Sequence, residues 1–170
     1  KIKECDMIVL HHTLIFKPLK LIVDSDPIQK RIMILIKKDI SLYAAHTNLD
    51  SAIGGLNDFI AEKLGIAVTN IVFDESVPDI RIGQVRPKTL RDFVMEIKNK
   101  LNLDYIHYCG DESKVISTVA LCTGSGFSYY DEAFDAGADV LLTGDMKYHD
   151  AKYALDRGMP VVDATHFGTE

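Results

Sequence analysis

The chain has 170 residues, with 19 Lys and Arg against 25 Asp and Glu, a formal net charge of −6 and a mean hydropathy typical of globular proteins. These totals exclude disordered and collagen-like classes, allow one sizeable domain or two small lobes, and argue against a nucleic-acid surface, which needs a concentrated excess of Lys and Arg. Three widely spaced cysteines (Cys5, Cys109, Cys122) without a C-x-x-C pair fit a reducing compartment and predict a cytoplasmic protein, and no run approaches the roughly 18 apolar residues of a membrane span.

In chain order, "KIKECDMIVL" reads as a helix-to-strand connection, with Asp6–Leu10 a short buried strand. The helix "DSDPIQKRIMILIKKDI" follows, with Ser25 or Asp26 as cap, Pro27 in its first turn, and Ile28, Ile32, Leu35 and Ile36 on one face. "LYAAH" predicts a second strand, "TNLDSAIGG" a loop, and residues 57–64 a helix that Gly65 terminates. "IAVTNIVF" is strand-like. The polar, turn-rich stretch from Pro78 to Pro87 predicts a lobe boundary, giving a first α/β lobe over residues 1–78 and a second over 79–170.

The second lobe opens with the helix "KTLRDFVMEIKNKL", whose Leu90, Phe93, Val94, Ile97 and Leu101 follow the 3.6-residue period. Strands "DYIHYC" and "VISTVALC" come next, then the turn "TGSGFS" opening the helix "YYDEAFDA", which Gly137 closes. "ADVLLTG" and "MPVVDATH" are strands on either side of the helix "YHDAKYALDR". Strands separated by helices of this length predict an α/β fold with parallel units.

The two ends of the chain echo one another. "CDMIVLHH" resembles "ADVLLTGD", and each is followed by a helix and a strand ending in His-x-x-x-carboxylate, "HTNLD" in one half and "HFGTE" in the other. The fold expected is therefore two similar α/β lobes related by an internal duplication, with polar residues at the carboxyl ends of strands, where open α/β sheets place ligands.

Gathered together, these strand-end groups are His11, His12, His46, Asp50, Asp145, His149, His166 and Glu170. Neutral imidazole with carboxylate is a ligand set for Zn, Fe, Mn, Co or Ni, and the absence of thiolate disfavours copper(I) and iron–sulfur clusters. An isolated His-His pair is commonly a solvated strand end, but repetition of His plus carboxylate at a second strand end favours metal. His107 lies apart from the other donors and reads as structural. The Gly124–Gly126 turn reads either as a plain tight turn or as backbone N–H groups offered to a phosphate. Lys17 and Lys20 read as solvated lysines, whereas Lys147, between Asp145 and His149, suits an anionic substrate.

"LHHTLIFKPLK", "AAHTNLDSAIGGLNDFIAEKLG", "TGDMKYHDAKYALDRG" and "VVDATHFGTE" closely resemble, in order and across essentially the whole chain, the dinuclear metal-centre family of GTP cyclohydrolase 1 type 2 homologs, also called NGG-interacting-factor-like proteins. The resemblance implies two divalent metal ions per chain, His11 and Asp50 on one, His12 and His166 on the other, with Glu170 bridging. It also implies a two-lobed protomer assembled as a toroidal homohexamer with its metal sites facing an internal cavity. Family members carry a segment before the paired histidines and a closing helix after the "GTE" motif, so further sequence is expected at both ends, while the short Pro78–Pro87 stretch leaves no room for the central domain of longer members.

The activity implied is that of a metal-dependent hydrolase opening the purine ring of GTP with release of formate. His46 or His149 would carry the proton, because imidazole titrates near neutral pH, and Lys147, Gly124 and Gly126 would meet the triphosphate. Two readings stand beside it: a phosphoesterase using the same two cations, and a non-enzymatic metal-binding or partner-binding scaffold.

Overall fold

In the computed structural model, which describes residues 5–74 and 77–170, the first strand, β1 (Met7–Leu10), pairs in parallel with β2 (Ser41–Ala44) in a register that sets Leu10 opposite Ala44. The helix between them, α1 (Pro27–Lys37), starts as its sequence directs: the Asp26 carboxylate accepts the N–H groups of Ile28 and Gln29, both at 2.9 Å, and Pro27 occupies a first-turn position that needs no donor. Residues 1–4 of the opening stretch lie outside the described residues. Met7, Ile8 and Val9 are exposed, not buried as expected, since a two-stranded sheet has too few side chains on either face to enclose them.

The chain divides into two compact units, residues 1–49 and 50–170, and not near residue 78. The stretch expected as a boundary lies inside a long strand, β4 (Val77–Thr89), paired antiparallel with the strand before it. Its polar residues signalled a turn, but cross-strand bonding on both sides holds it extended. The loop expected at "TNLDSAIGG" contains a short helix, α2 (Thr47–Ser51).

The second unit continues with α3 (Leu56–Leu64), which Gly65 ends at φ 72°, then β3 (Ala67–Asp74), β4, and α4 (Leu90–Lys100), capped by the Thr89 hydroxyl accepting the Asp92 N–H at 3.1 Å. Next come β5 (His107–Cys109), β6 (Val115–Leu121), a 3-10 turn at Phe127–Tyr129, α5 (Tyr130–Asp135), β7 (Val140–Thr143), α6 (Tyr148–Arg157), β8 (Val161–Asp163) and α7 (His166–Thr169). One sheet runs β3-β4-β6-β7-β8-β5. The β6-β7-β8 centre is parallel, as the helix-separated strands predict, and β3, β4 and β5 pair antiparallel, so the α/β fold has a mixed sheet.

Strand alternation sorts the core onto two faces. Val119, Leu121, Val140, Leu142 and Val162 pack with Ile60, Leu64, Phe93 and Ile97 of α3 and α4. Ala120, Leu141 and Val161 pack with Tyr130, Ala133 and Ala154 of α5 and α6. The central strands are buried on both faces, which is why they read as continuous apolar runs. The order strand, helix, parallel strand, short helix occurs twice, as β1-α1-β2-α2 and β7-α6-β8-α7, an order consistent with the echo between the two ends of the sequence. No helix among the described residues is long and apolar enough to cross a membrane.

Candidate metal centre

The carboxyl end of β1 delivers His11 and His12, and the end of β2 delivers His46. Their rings lie close together, with centroids 4.9 Å apart for His11 and His12, 5.2 Å for His11 and His46, and 5.3 Å for His12 and His46. Adjacent strand residues would point oppositely; the chain leaves the strand after Leu10, and that turn lets both imidazoles converge. The three offer nitrogen atoms within 4.8 Å of one another, a spacing suited to one metal ion. His11 Nδ1 lies 2.6 Å from the Ala45 carbonyl oxygen, which places the proton on Nδ1 and the lone pair on Nε2.

In the second unit, β8 ends at Asp163 and the chain enters α7 through Thr165. One turn of this helix brings His166 and Glu170 together, with Nε2 of the first 2.9 Å from Oε2 of the second. Asp145, from the loop after β7, lies with Oδ2 2.7 Å from His166 Nδ1. Burial works to lower the His166 pKa, but the Asp145 and Glu170 carboxylates outweigh it and hold the imidazole above its ordinary value. Asp50, buried on α2, offers a carboxylate oxygen within 4.8 Å of one from Glu170.

Three residues that drew no attention in the sequence hold this arrangement. Asp163, 5% exposed, accepts the Met146 N–H at 3.1 Å and the Thr165 N–H at 2.8 Å, so one carboxylate ties the loop bearing Asp145 to the residue that precedes His166. Thr165 has φ 65° and ψ 154°, a region nearly confined to glycine that costs of order 1–3 kcal/mol. It is held there by Asp163, by its hydroxyl accepting the Gly168 N–H at 3.0 Å, and by its carbonyl accepting the Thr169 hydroxyl at 3.1 Å. Thr169, fully buried, accepts the Gly124 N–H at 3.0 Å. Asp163 and Thr169 both sit inside the "VVDATHFGTE" motif, where a carboxylate and a hydroxyl among apolar or turn residues were the available signal.

The Gly124–Gly126 turn has a different part from the one expected. Its N–H groups at 124 and 126 donate to Thr169 and to Thr143 (2.8 Å), so they do not turn outward to a phosphate. Gly124 serves by lacking a side chain: at φ 63° it lies against the Glu170 carboxylate, where a Cβ would overlap Oε1. Lys147 and His149 are exposed at the start of α6, and His149 packs edge-on against Tyr148. Neither belongs to a metal-competent donor group among the described residues. His107 is exposed on β5, with Nδ1 4.0 Å from Asp163 Oδ2.

The whole chain, residues 1–170, matches the family model described as Duf34/NIF3 (NGG1p interacting factor 3). A GTP cyclohydrolase 1 type 2 homolog of Streptococcus pneumoniae is 39% identical over 172 residues, covering 97% of this chain and 64% of that protein. The namesake in Clostridium acetobutylicum is 37% identical over 175 residues, covering 99% and 65%. Among solved structures, Staphylococcus aureus protein SA1388 superposes with a TM-score of 0.83 at 28% identity, covering 96% of this chain and 68% of that one. Reduced HcgD from Methanocaldococcus jannaschii gives 0.79 at 30% identity, covering 97% and 65%. The chain thus spans just under two thirds of the length of these curated relatives.

Proposed function

This chain belongs to the Duf34/NIF3 family, and on that premise we propose that it is a dinuclear metal-dependent hydrolase of the GTP cyclohydrolase 1 type 2 homolog kind. By the family resemblance, His11, Asp50, His12, His166 and Glu170 would hold two divalent cations. The observation that carries this reading is the pairing of His166 with Glu170 at 2.9 Å, with the other ring nitrogen of His166 engaged by Asp145 at 2.7 Å. A carboxylate behind an imidazole is the usual second shell of a histidine metal ligand, because it fixes the ring and raises its basicity. The donor chemistry fits: neutral nitrogens from the histidines and anionic oxygens from Asp50 and Glu170 suit Zn, Fe, Mn, Co or Ni. The glycine at 124 supports the same reading, since its missing side chain leaves the Glu170 carboxylate its place.

Bound cations would supply Lewis acidity and an activated water at neutral pH. The chain's own residues do the rest. Asp145 orients His166, and the Ala45 carbonyl orients His11. His46, within 5.3 Å of both neighbouring imidazole rings, holds and moves the proton that hydrolytic opening of the purine ring requires. Lys147, exposed at the start of α6, meets the phosphates of the nucleotide.

The test is formate release from GTP by protein loaded with each candidate cation, with metal content measured alongside and Asp50→Asn as control. The expected result is two cations per chain and turnover that falls with Asp50→Asn. Two cations without formate release would refute the GTP ring-opening assignment and leave the phosphoesterase and metal-binding scaffold readings. Absence of bound metal would refute the centre itself.

A further inference from the structure

Arg81 is a fully buried cation on the central part of β4. Its neighbours Ile80 and Ile82 pack into the core with Ala120 and Tyr130, so strand alternation sends Arg81 to the opposite face, the one covered by α3 and α4. There its Nε pairs with Asp58, in the first turn of α3, and its Nη2 donates to the carbonyls of Ser51 at 3.0 Å and Ala52 at 2.9 Å. α2 ends at Ser51, so both carbonyls lie at or just past its end, and that of Ala52 also accepts the Gly55 N–H at 2.9 Å. Asp58 grips the same turn from its other end, accepting the Gly54 N–H at 2.6 Å. The guanidinium and its carboxylate partner therefore clamp residues 51–54, the segment immediately after Asp50.

A buried ion pair is a poor device for stability alone, because the desolvation of both charges offsets their attraction and an apolar pair of similar volume does as well. A planar fork that reaches two carbonyls and one carboxylate does something apolar side chains cannot: it sets the direction in which a helix ends. We infer that Arg81, with Asp58, is a positioning residue that fixes the end of α2 so that the Asp50 carboxylate is held ready for its cation. This rests on the reading of Asp50 as a metal ligand. The signal was legible in "DIRIG", where an arginine alternates with two isoleucines that its strand buries.

The experiment is calorimetric titration of the metal-free full chain with Co(II), with the visible absorption of bound Co(II) recorded, for the wild type, Asp50→Asn, Arg81→Lys and Asp58→Asn. Asp50→Asn is expected to remove one of two binding events. Arg81→Lys and Asp58→Asn are expected to keep the wild-type circular dichroism and to weaken that same event about 10–100-fold, the range for losing an outer-shell partner, with altered Co(II) bands and the other event unchanged. Should Asp50→Asn bind two equivalents as tightly as wild type, the ligand reading itself fails. If Asp50→Asn loses an event while the other two variants titrate like wild type, or weaken both events alike, the positioning role is overturned. Where Arg81→Lys does not fold, Asp58→Asn, whose side chain is 26% exposed, decides the matter.

Discussion

Replacing Gly124 with alanine separates the cost of backbone strain from the cost of moving a metal ligand. Gly124 lies at φ 63°, where an alanine costs roughly 1–2 kcal/mol. The new Cβ would overlap Glu170 Oε1 and stand 3.4 Å from Cδ of that residue and 3.5 Å from Cε1 of His166. The carboxylate must retreat by about 1 Å to restore ordinary contact. Because the obstructing atom is the far end of a flexible side chain, the retreat adds little to unfolding free energy but pulls Glu170 away from its place beside His166 Nε2. Gly137→Ala is the matched control: its φ is 78° and nothing lies within 4 Å of the new methyl, so it carries the strain alone. Both variants should melt about 2–8 °C below wild type, the shift that 1–2 kcal/mol produces in a domain of this size. Only Gly124→Ala should lose metal affinity, by at least the roughly 10-fold that a disturbed outer shell costs. Thermal melts followed by circular dichroism, with metal titration of each variant, measure both quantities. Equal metal affinity in the two variants would refute the reasoning, because Glu170 would then either tolerate displacement or take no part in ligation.

Thr169→Val keeps the shape of a fully buried residue but strips the acceptor from the Gly124 N–H, so urea denaturation should report a loss of about 1–3 kcal/mol, the range for a buried unsatisfied donor. Leu142→Ala removes a fully enclosed side chain between β6 and β8 and should cost about 2–5 kcal/mol by the same measurement, whereas Phe167→Ala, at a site 94% exposed, should leave the urea midpoint unchanged. Asp139 is pushed upward by burial, but its hydrogen bonds from the Thr118 and Ser117 N–H groups and the Ser117 hydroxyl outweigh this and hold the carboxyl below its ordinary value. Its contribution is therefore fully present above the unfolded carboxylate value near pH 4 and is lost as pH falls through the lower folded-state value. Asp139→Asn should flatten the acid limb of the urea midpoint plotted against pH relative to wild type, and an unchanged limb would count against that account.

Much of the scaffold was local and so could be read directly from the sequence. α1, α3 and α4 follow from Asp26, Gly65 and Thr89 at their ends and from apolar spacing, since caps and periodicity are properties of neighbouring residues. The central strands β6, β7 and β8 were readable because burial on both faces leaves a continuous apolar run. The histidines were readable as donors that could hold a metal, and the structure brings nitrogen atoms of His11, His12 and His46 within 4.8 Å of one another. Tertiary structure alone decided the remainder. Whether residues 78–87 turn or extend depends on bonding partners 30 or more residues away in β6, and the carbonyls of Ser51 and Ala52, at the end of α2, meet an arginine from β4. The two glycines of the "GSG" turn carry the same letters in either role; only the positions of Thr143, Thr169 and Glu170 show that their N–H groups are engaged inward and that the missing side chain at 124 is what matters. Sequence determines which groups are available and which segments favour a given backbone, because those preferences act over a few residues. Which donor meets which acceptor is decided by packing, because in this chain those partners lie far apart along it and are brought within reach by the burial of the sheet between its helices.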